Sequence, residues 1–253
     1  MLDPILRTEK LTKRFGGLTA VDGVALELRV GEVHAVIGPN GAGKSTLTSL
    51  LSGDLQPSSG SIHFEGRDIA GLSAERISQL GIGRSYQKTN IFLSFTVFEN
   101  CRLAAQSRTQ HAWRVFNPAM GFRDINLAAE EAMEAAGLVP LRDKIAAALA
   151  HGEQRQLEIA MCLATRPRVM LLDEPLAGMG QHESQRMVEL IKKLTARHAI
   201  MLIEHDMDAV FAVAHKLTVM VDGVVLESGT PEFVRSSPAV QQAYLSGEEM
   251  LND

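Results

Sequence analysis

Glu32-Val33-His34-Ala35-Val36-Ile37-Gly38-Pro39-Asn40-Gly41-Ala42-Gly43-Lys44-Ser45-Thr46 is the stretch that decides the fold. Glu32 to Ile37 is mostly apolar with β-branched members, which suits a buried strand. Gly38 to Thr46 then fits G-x-x-x-x-G-K-[ST] and opens a helix. In that context the pattern makes a phosphate cradle. Glycines let the backbone from Gly38 to Gly43 curl so that the N–H groups of Asn40, Gly41, Ala42 and Gly43 turn inward, while Pro39, which has no N–H, shapes the same loop with Gly38. The helix beginning with Lys44, Ser45 and Thr46 points its positive end at the same place. Lys44 is placed to reach the β- and γ-phosphates, and the Ser45 hydroxyl to ligate Mg²⁺.

Working outward, short strands alternate with helices. Ser61 to Phe64 follows a Pro57-Ser58-Ser59-Gly60 turn. Val169 to Leu172 and Ala199 to Ile203 are continuous apolar runs, as expected of parallel strands covered on both faces. Asp222-Gly223 separates Leu217–Val221 from Val224–Glu227 and predicts a hairpin. Helices are predicted over Leu127–Ala136, Glu153–Thr165 and Glu183–Arg197 from their apolar spacing. Thr230-Pro231 and Ser237-Pro238 read as cap-plus-proline helix starts. Residues 105–123 lack a period and read as a loop or insertion. The fold class is therefore α/β: a P-loop NTPase core with a mixed β-sheet, plus a helical subdomain. The boundaries fall at about 1–87 and 166–253 for the core lobe, and about 88–165 for the helical subdomain.

The composition narrows the classes. The 253 residues carry 25 Lys+Arg against 30 Asp+Glu, a net charge of −5, with 45% hydrophobic and 22% charged residues. No run is long and apolar enough to predict a membrane span. Met1 to Lys10 lacks the apolar core of a secretory signal. Two cysteines, Cys101 and Cys162, are too few for a disulfide framework or zinc site and read as small core residues. The mild acidity argues against nucleic acid as the main partner.

The run Val169-Met170-Leu171-Leu172 ends in Asp173 and Glu174. A carboxylate at the end of a strand beside the phosphate loop suits a Mg²⁺ shell, which assigns Asp173. Glu174, one residue on, is placed to polarise an attacking water. Around these residues the chain resembles the ATP-binding cassette (ABC) ATPases over about residues 5–245. Leu149-Ala150-His151-Gly152-Glu153-Gln154 resembles that family's signature segment. Gln87 resembles its Q-loop glutamine and His205 its switch histidine. Phe15 resembles the aromatic residue that stacks on adenine, against its other reading as a core residue. The resemblance implies ATP and Mg²⁺ as cofactors. It implies catalytic roles for Glu174, His205, Gln87 and Lys44, metal contacts from Ser45, Gln87 and Asp173, and phosphate contacts from Ala150, His151, Gly152 and Glu153 to a nucleotide on a second subunit. Two departures stand out: Ala150 lacks the signature serine's hydroxyl, and Gly180 stands where an aspartate is usual.

Arg14-Phe15-Gly16-Gly17-Leu18, Gly83-Arg84-Ser85-Tyr86-Gln87, residues 149–160 and Ile203-Glu204-His205-Asp206-Met207 are similar to the longer ATPase of bacterial branched-chain amino acid uptake systems. That implies a second ATPase subunit in a homo- or heterodimer, two membrane permease subunits, an indirect link to a periplasmic solute-binding protein, and a peripheral place on the cytoplasmic face of the inner membrane. Urea, amides and aromatic acids are alternative solutes. A soluble ABC ATPase acting on nucleic acid or ribosomes is the competing class; a P-loop kinase or GTPase would lack the signature segment. Phe92, Phe95 and Phe98, at three-residue spacing, read either as core of the helical subdomain or as a groove for a permease helix. Trp113, flanked by Arg108, His111, Arg114 and Arg123, reads as the anchor of a solvated loop or as a contact to permease or lipid.

Overall fold

The computed structural model describes residues 3–85, 90–108 and 122–249. Two long strands, β1 (Leu6–Phe15) and β2 (Leu18–Leu28), come first and pair antiparallel. β3 (Val33–Ile37) runs into the glycine loop and α1 (Lys44–Leu51). β4 (Ser59–Phe64) and the short β5 (Arg67–Asp68) join β1, so that one sheet has the order β2-β1-β4-β5. After α2 (Ala74–Leu80) and β6 (Ile82–Arg84) come α3 (Val97–Gln106), α4 (Arg123–Ala135) and α5 (His151–Ala164). The chain then alternates β7 (Val169–Asp173), α6 (Gln181–Thr195), β8 (Ala199–Ile203), α7 (Met207–Val213) and β9 (Lys216–Val221). It closes with β10 (Val224–Gly229), α8 (Pro231–Ser236) and α9 (Pro238–Glu249). The second sheet has the order β10-β9-β3-β8-β7-β6, parallel except for β10.

The continuous apolar runs are indeed the centre of the parallel sheet. β3, β7 and β8 are buried at every position. Along β7, Val169 and Leu171 face one core with Leu11, Leu47 and Ile62, while Met170 and Leu172 face another with Ile191 of α6 and Ile159 of α5. Helices α3, α4 and α5 enclose a further core of Val97, Phe98, Cys101, Met133, Leu138 and Leu157. The Asp222-Gly223 hairpin forms as expected, with φ 48 and 83 at the two turn residues and Val221 opposite Val224.

Ser61–Phe64 forms the expected strand, for which the sequence named no sheet; it belongs to the antiparallel sheet, one strand from its edge, with Ile62 and Phe64 buried. Other expectations need extension or correction. β1 and β2 have no counterpart in the sequence reading. In β1, Leu6 and Thr8 are buried and Arg7 and Glu9 exposed, but a bulge at Lys10 (φ 48) then puts Leu11 and Thr12 both inside. That extra residue breaks the two-residue period. Helix α4 begins at Arg123 and α3 runs through Gln106, so both ends of the 105–123 stretch are helical. Trp113, His111 and Arg114 lie outside the described residues.

Candidate functional site

Three neighbouring parallel strands, β3, β8 and β7, deliver the candidate residues at their C-terminal ends. This is the edge at which open parallel sheets receive ligands. β3 leads into the glycine loop, β7 ends in Asp173-Glu174, and β8 leads into Glu204-His205.

The loop's backbone needs its glycines at two points. Gly38 (φ 151) leaves no room for a Cβ against the Met220 carbonyl oxygen, and Gly43 (φ 96) none against the Ala20 carbonyl oxygen. Gly43 caps α1, and no side chain bonds to the helix's first N–H groups. Those donors and the helix dipole therefore favour an anion at the loop, which includes Pro39, Asn40, Gly41 and Ala42. Lys44 Nζ lies over the same loop, donating to the carbonyls of Gly38 at 2.6 Å and Pro39 at 2.9 Å. Burial pushes its ammonium below the usual lysine range, opposed by the charges of Glu174 and Asp173. Ser45 and Thr46 follow in the first turn. Phe15 ends β1, half-exposed, with Lys13 Nζ 5.1 Å from its ring centroid. Its hairpin carries Ala20, which touches the loop, so the ring and the cradle share one neighbourhood.

Asp173 is 3% exposed. Burial raises its pKa, with the Arg84 guanidinium acting against it. Arg84 Nη2 lies 3.4 Å from Asp173 Oδ2. Its Nη1 donates to Asp54 Oδ2 at 2.8 Å, Ser52 Oγ at 3.0 Å and Ser49 Oγ at 3.1 Å. Arg84 thus ties β6 to α1 and to the end of β7. Glu174 holds a left-handed backbone (φ 49) and donates its N–H to the Ile203 carbonyl at 2.9 Å. His205 is 73% exposed at its side chain, just before the Asp206 cap of α7. Glu204, beside it, is buried and accepts from the Leu176 N–H at 2.8 Å. The sequence reading missed Arg84 and Glu204. Each is a lone charged residue at the end of an apolar strand, a signal too common to stand out.

The signature segment starts α5. Ala150 is its N-cap and has no hydroxyl to offer the first turn. Glu153 accepts from the Ala150 N–H at 2.9 Å and lies 3.3 Å from Lys144 Nζ, so its carboxylate closes the helix start. His151 is exposed and its ring lies against Gly178, while Gly152 abuts Glu183. Gly180 caps α6, its N–H donating to Glu183 Oε2 at 3.3 Å. Gln87 lies outside the described residues.

Among the described residues no group of three His, Cys, Asp or Glu side chains could hold a metal. The site offers the Ser45 hydroxyl and the Asp173 carboxylate instead. Such a sparse oxygen set fits Mg²⁺, which keeps waters and phosphate oxygens as its remaining ligands.

Of the three Phe residues, Phe98 is buried, with the Arg142 guanidinium 4.1 Å from its ring centroid. Phe92 and Phe95 stack at 5.3 Å and stay exposed, beside the exposed Leu93 and Ile145. Cys101 and Cys162 are buried, and burial pushes both thiols up to about 12.

A glycine loop that opens a helix, with Asp173-Glu174 and His205 at the same sheet edge, fits an ATP-binding cassette ATPase. The chain belongs to the ABC transporter family, whose pattern matches residues 21–177. It is 41% identical over 253 residues to the high-affinity branched-chain amino acid transport ATP-binding protein BraF of Pseudomonas aeruginosa, covering 97% of this chain and 99% of that protein. It is 37% identical over 254 residues to the LivG protein of the same description from Escherichia coli K12, with the same coverages. Among solved structures, the ADP conformation of an ATP-binding cassette of an ABC transporter superposes with a TM-score of 0.83 at 29% identity, covering 96% of this chain and 99% of that one. No helix among the described residues is long and apolar enough to cross a membrane.

Proposed function

We propose that this chain hydrolyses ATP to power an importer of branched-chain amino acids. The observation that carries the reading is identity to BraF across nearly the whole of both chains. Within it, the loop from Gly38 to Thr46 cradles the phosphates, and Phe15 stacks on adenine. Lys44 neutralises the β- and γ-phosphates, and Ser45, Asp173 and Gln87 hold Mg²⁺, which offsets phosphate charge. Glu174 orients a water and accepts its proton as the water attacks the γ-phosphorus and the bond to the β-phosphate oxygen breaks. His205 donates to the γ-phosphate as charge develops.

A second ATPase subunit completes each site. Ala150 stands at the helix start with its own N–H held by Glu153, and His151, Gly152 and Glu153 present the first-turn backbone N–H groups, which no side chain caps, to its nucleotide. Glu153 contributes through its backbone, since its carboxylate is engaged at the helix start. The core lobe and the helical subdomain of about 88–165 form the two halves of the cassette. Two permease subunits receive the work, with the periplasmic binding protein beyond them, and the chain sits peripherally on the cytoplasmic face.

The exposed Phe92–Phe95 pair is the permease contact in this reading, because a stacked aromatic pair beside Leu93 and Ile145 suits an amphipathic helix. Affinity capture from detergent-solubilised membranes tests it. The wild-type chain is expected to bring down two permeases. The double variant Phe92→Ala, Phe95→Ala should lose them while binding ATP normally. Recovery of ribosomes or DNA in place of permeases would favour the competing class.

A further inference from the structure

Glu204 is a buried carboxylate that no step of the reaction above uses. Its side chain is fully buried, and among the described residues no Lys or Arg lies within ion-pair distance of it. Its two oxygens serve two different loops. Oε1 accepts from the N–H of Leu176, two residues past Glu174, at 2.8 Å. Oε2 accepts from the N–H of His205 at 3.2 Å. We propose that Glu204 is a positioning residue, fastening the loop that follows Glu174 to the loop that carries His205, so that the two move as one unit during ATP hydrolysis.

The surrounding bonds favour this reading over simple filling of space. Glu174 already donates its N–H to the Ile203 carbonyl at 2.9 Å, so residues 174 and 176 are both tied to the end of β8, at 203 and 204. His205 itself has an exposed side chain, and Glu204 holds it twice: Oε2 accepts the His205 N–H at 3.2 Å and lies 3.8 Å from the His205 ring Nδ1. On the far side, the same loop reaches Gly178, which lies against His151 of the signature segment. A continuous run of contacts therefore joins His205, Glu204, Leu176, Gly178 and His151. A carboxylate suits the junction because it offers acceptor atoms in two directions from one rigid plane. Glutamine keeps one acceptor and turns an NH₂ group toward the other N–H, which breaks one of the two ties while conserving volume.

The proposal rests on the assignment of His205 and Glu174 to hydrolysis, and the test separates the two. Hydrogen exchange on the wild-type chain should show the Leu176 and His205 amides protected by about 100-fold or more, although both lie outside strands and helices. In Glu204→Gln, protection of at least one should fall by about tenfold, kcat should fall by about tenfold, and KM for ATP should stay within about twofold. Adding Glu204→Gln to His205→Ala should lower kcat no further than His205→Ala alone, as expected of residues acting as one unit. Unprotected wild-type amides would overturn the proposal even if the variant failed to fold. So would effects of the two substitutions that multiply, or a Glu204→Gln chain with unaltered kcat. Full activity in His205→Ala would instead overturn the assignment of His205, and the proposal with it.

Discussion

Glu174 holds a left-handed backbone (φ 49) that costs a non-glycine residue about 1 kcal/mol. The cost is borne where β7 ends, near enough to Lys44 for the two charges to interact. Replacing Glu174 by Gln should leave ATP binding intact and lower turnover by roughly 10² or more, the usual weight of a positioned general base. Filter binding and phosphate release measure the two, and unchanged turnover would remove its assigned role. His34 carries a different kind of constraint. It is buried in β3, bonded to the Glu27 carbonyl and the Thr218 hydroxyl, and burial lowers its pKa from 6.5 to about 4. The unfolded chain thus binds a proton between those values that the folded chain refuses. Stability is full above pH 6.5 and falls as the pH drops toward 4, by on the order of 3 kcal/mol from this group. Urea unfolding from pH 7 to pH 5 should show that slope, and His34→Gln should flatten it. At this scale the sequence singled out Lys44 and Ser45 by the fixed spacing of the glycine loop, and Asp173 and Glu174 by their place at the end of an apolar run. It passed over Arg84 and Glu204, because their roles arise from long-range approach to Asp173 and Leu176.

The glycine loop and α1 form the element on which the site depends, and space around the loop is uneven. A Cβ at Gly43 would run into the Ala20 carbonyl oxygen, whereas one at Gly41 (φ 82) would meet nothing within 4 Å. Gly43→Ala should therefore cost roughly 2 to 4 kcal/mol in urea unfolding and abolish ATP binding, while Gly41→Ala should cost only about 1 kcal/mol of backbone strain. Equal costs would contradict the crowding at Gly43. The contrast also explains which elements were legible. β3, β7 and β8 are buried on both faces, so their continuous apolar runs announced them. β1 was hidden by the bulge at Lys10, and Ser61–Phe64 was too short to show which sheet it joins. Helix α3 owes its start to Thr96 and Glu99, which cap it reciprocally, a signal present in the sequence that the reading did not take up.

At the scale of the whole molecule, two sheets and a cluster of helices place the described candidates at one edge of the parallel sheet, at the Phe15 end of the β1–β2 hairpin whose Ala20 touches the glycine loop, and on the α5 start beside Gly178. The net charge of −5 is the opposite of the basic excess that phosphate backbones attract, and the exposed Phe92 and Phe95 offer a partner apolar contact instead. The order of motifs along the chain revealed the cassette from sequence. The packing of the signature segment against the loop after Glu174 did not show there, because it joins residues far apart in the chain. The central claim is that hydrolysis by this chain drives amino acid entry. Its most direct test is uptake of labelled leucine, isoleucine and valine by cells of origin lacking the gene, complemented with wild-type or Glu174→Gln protein. The account predicts that the deletion removes high-affinity uptake, that the wild type restores it and that Glu174→Gln does not. Uptake that survives the deletion, or that Glu174→Gln restores, would contradict it.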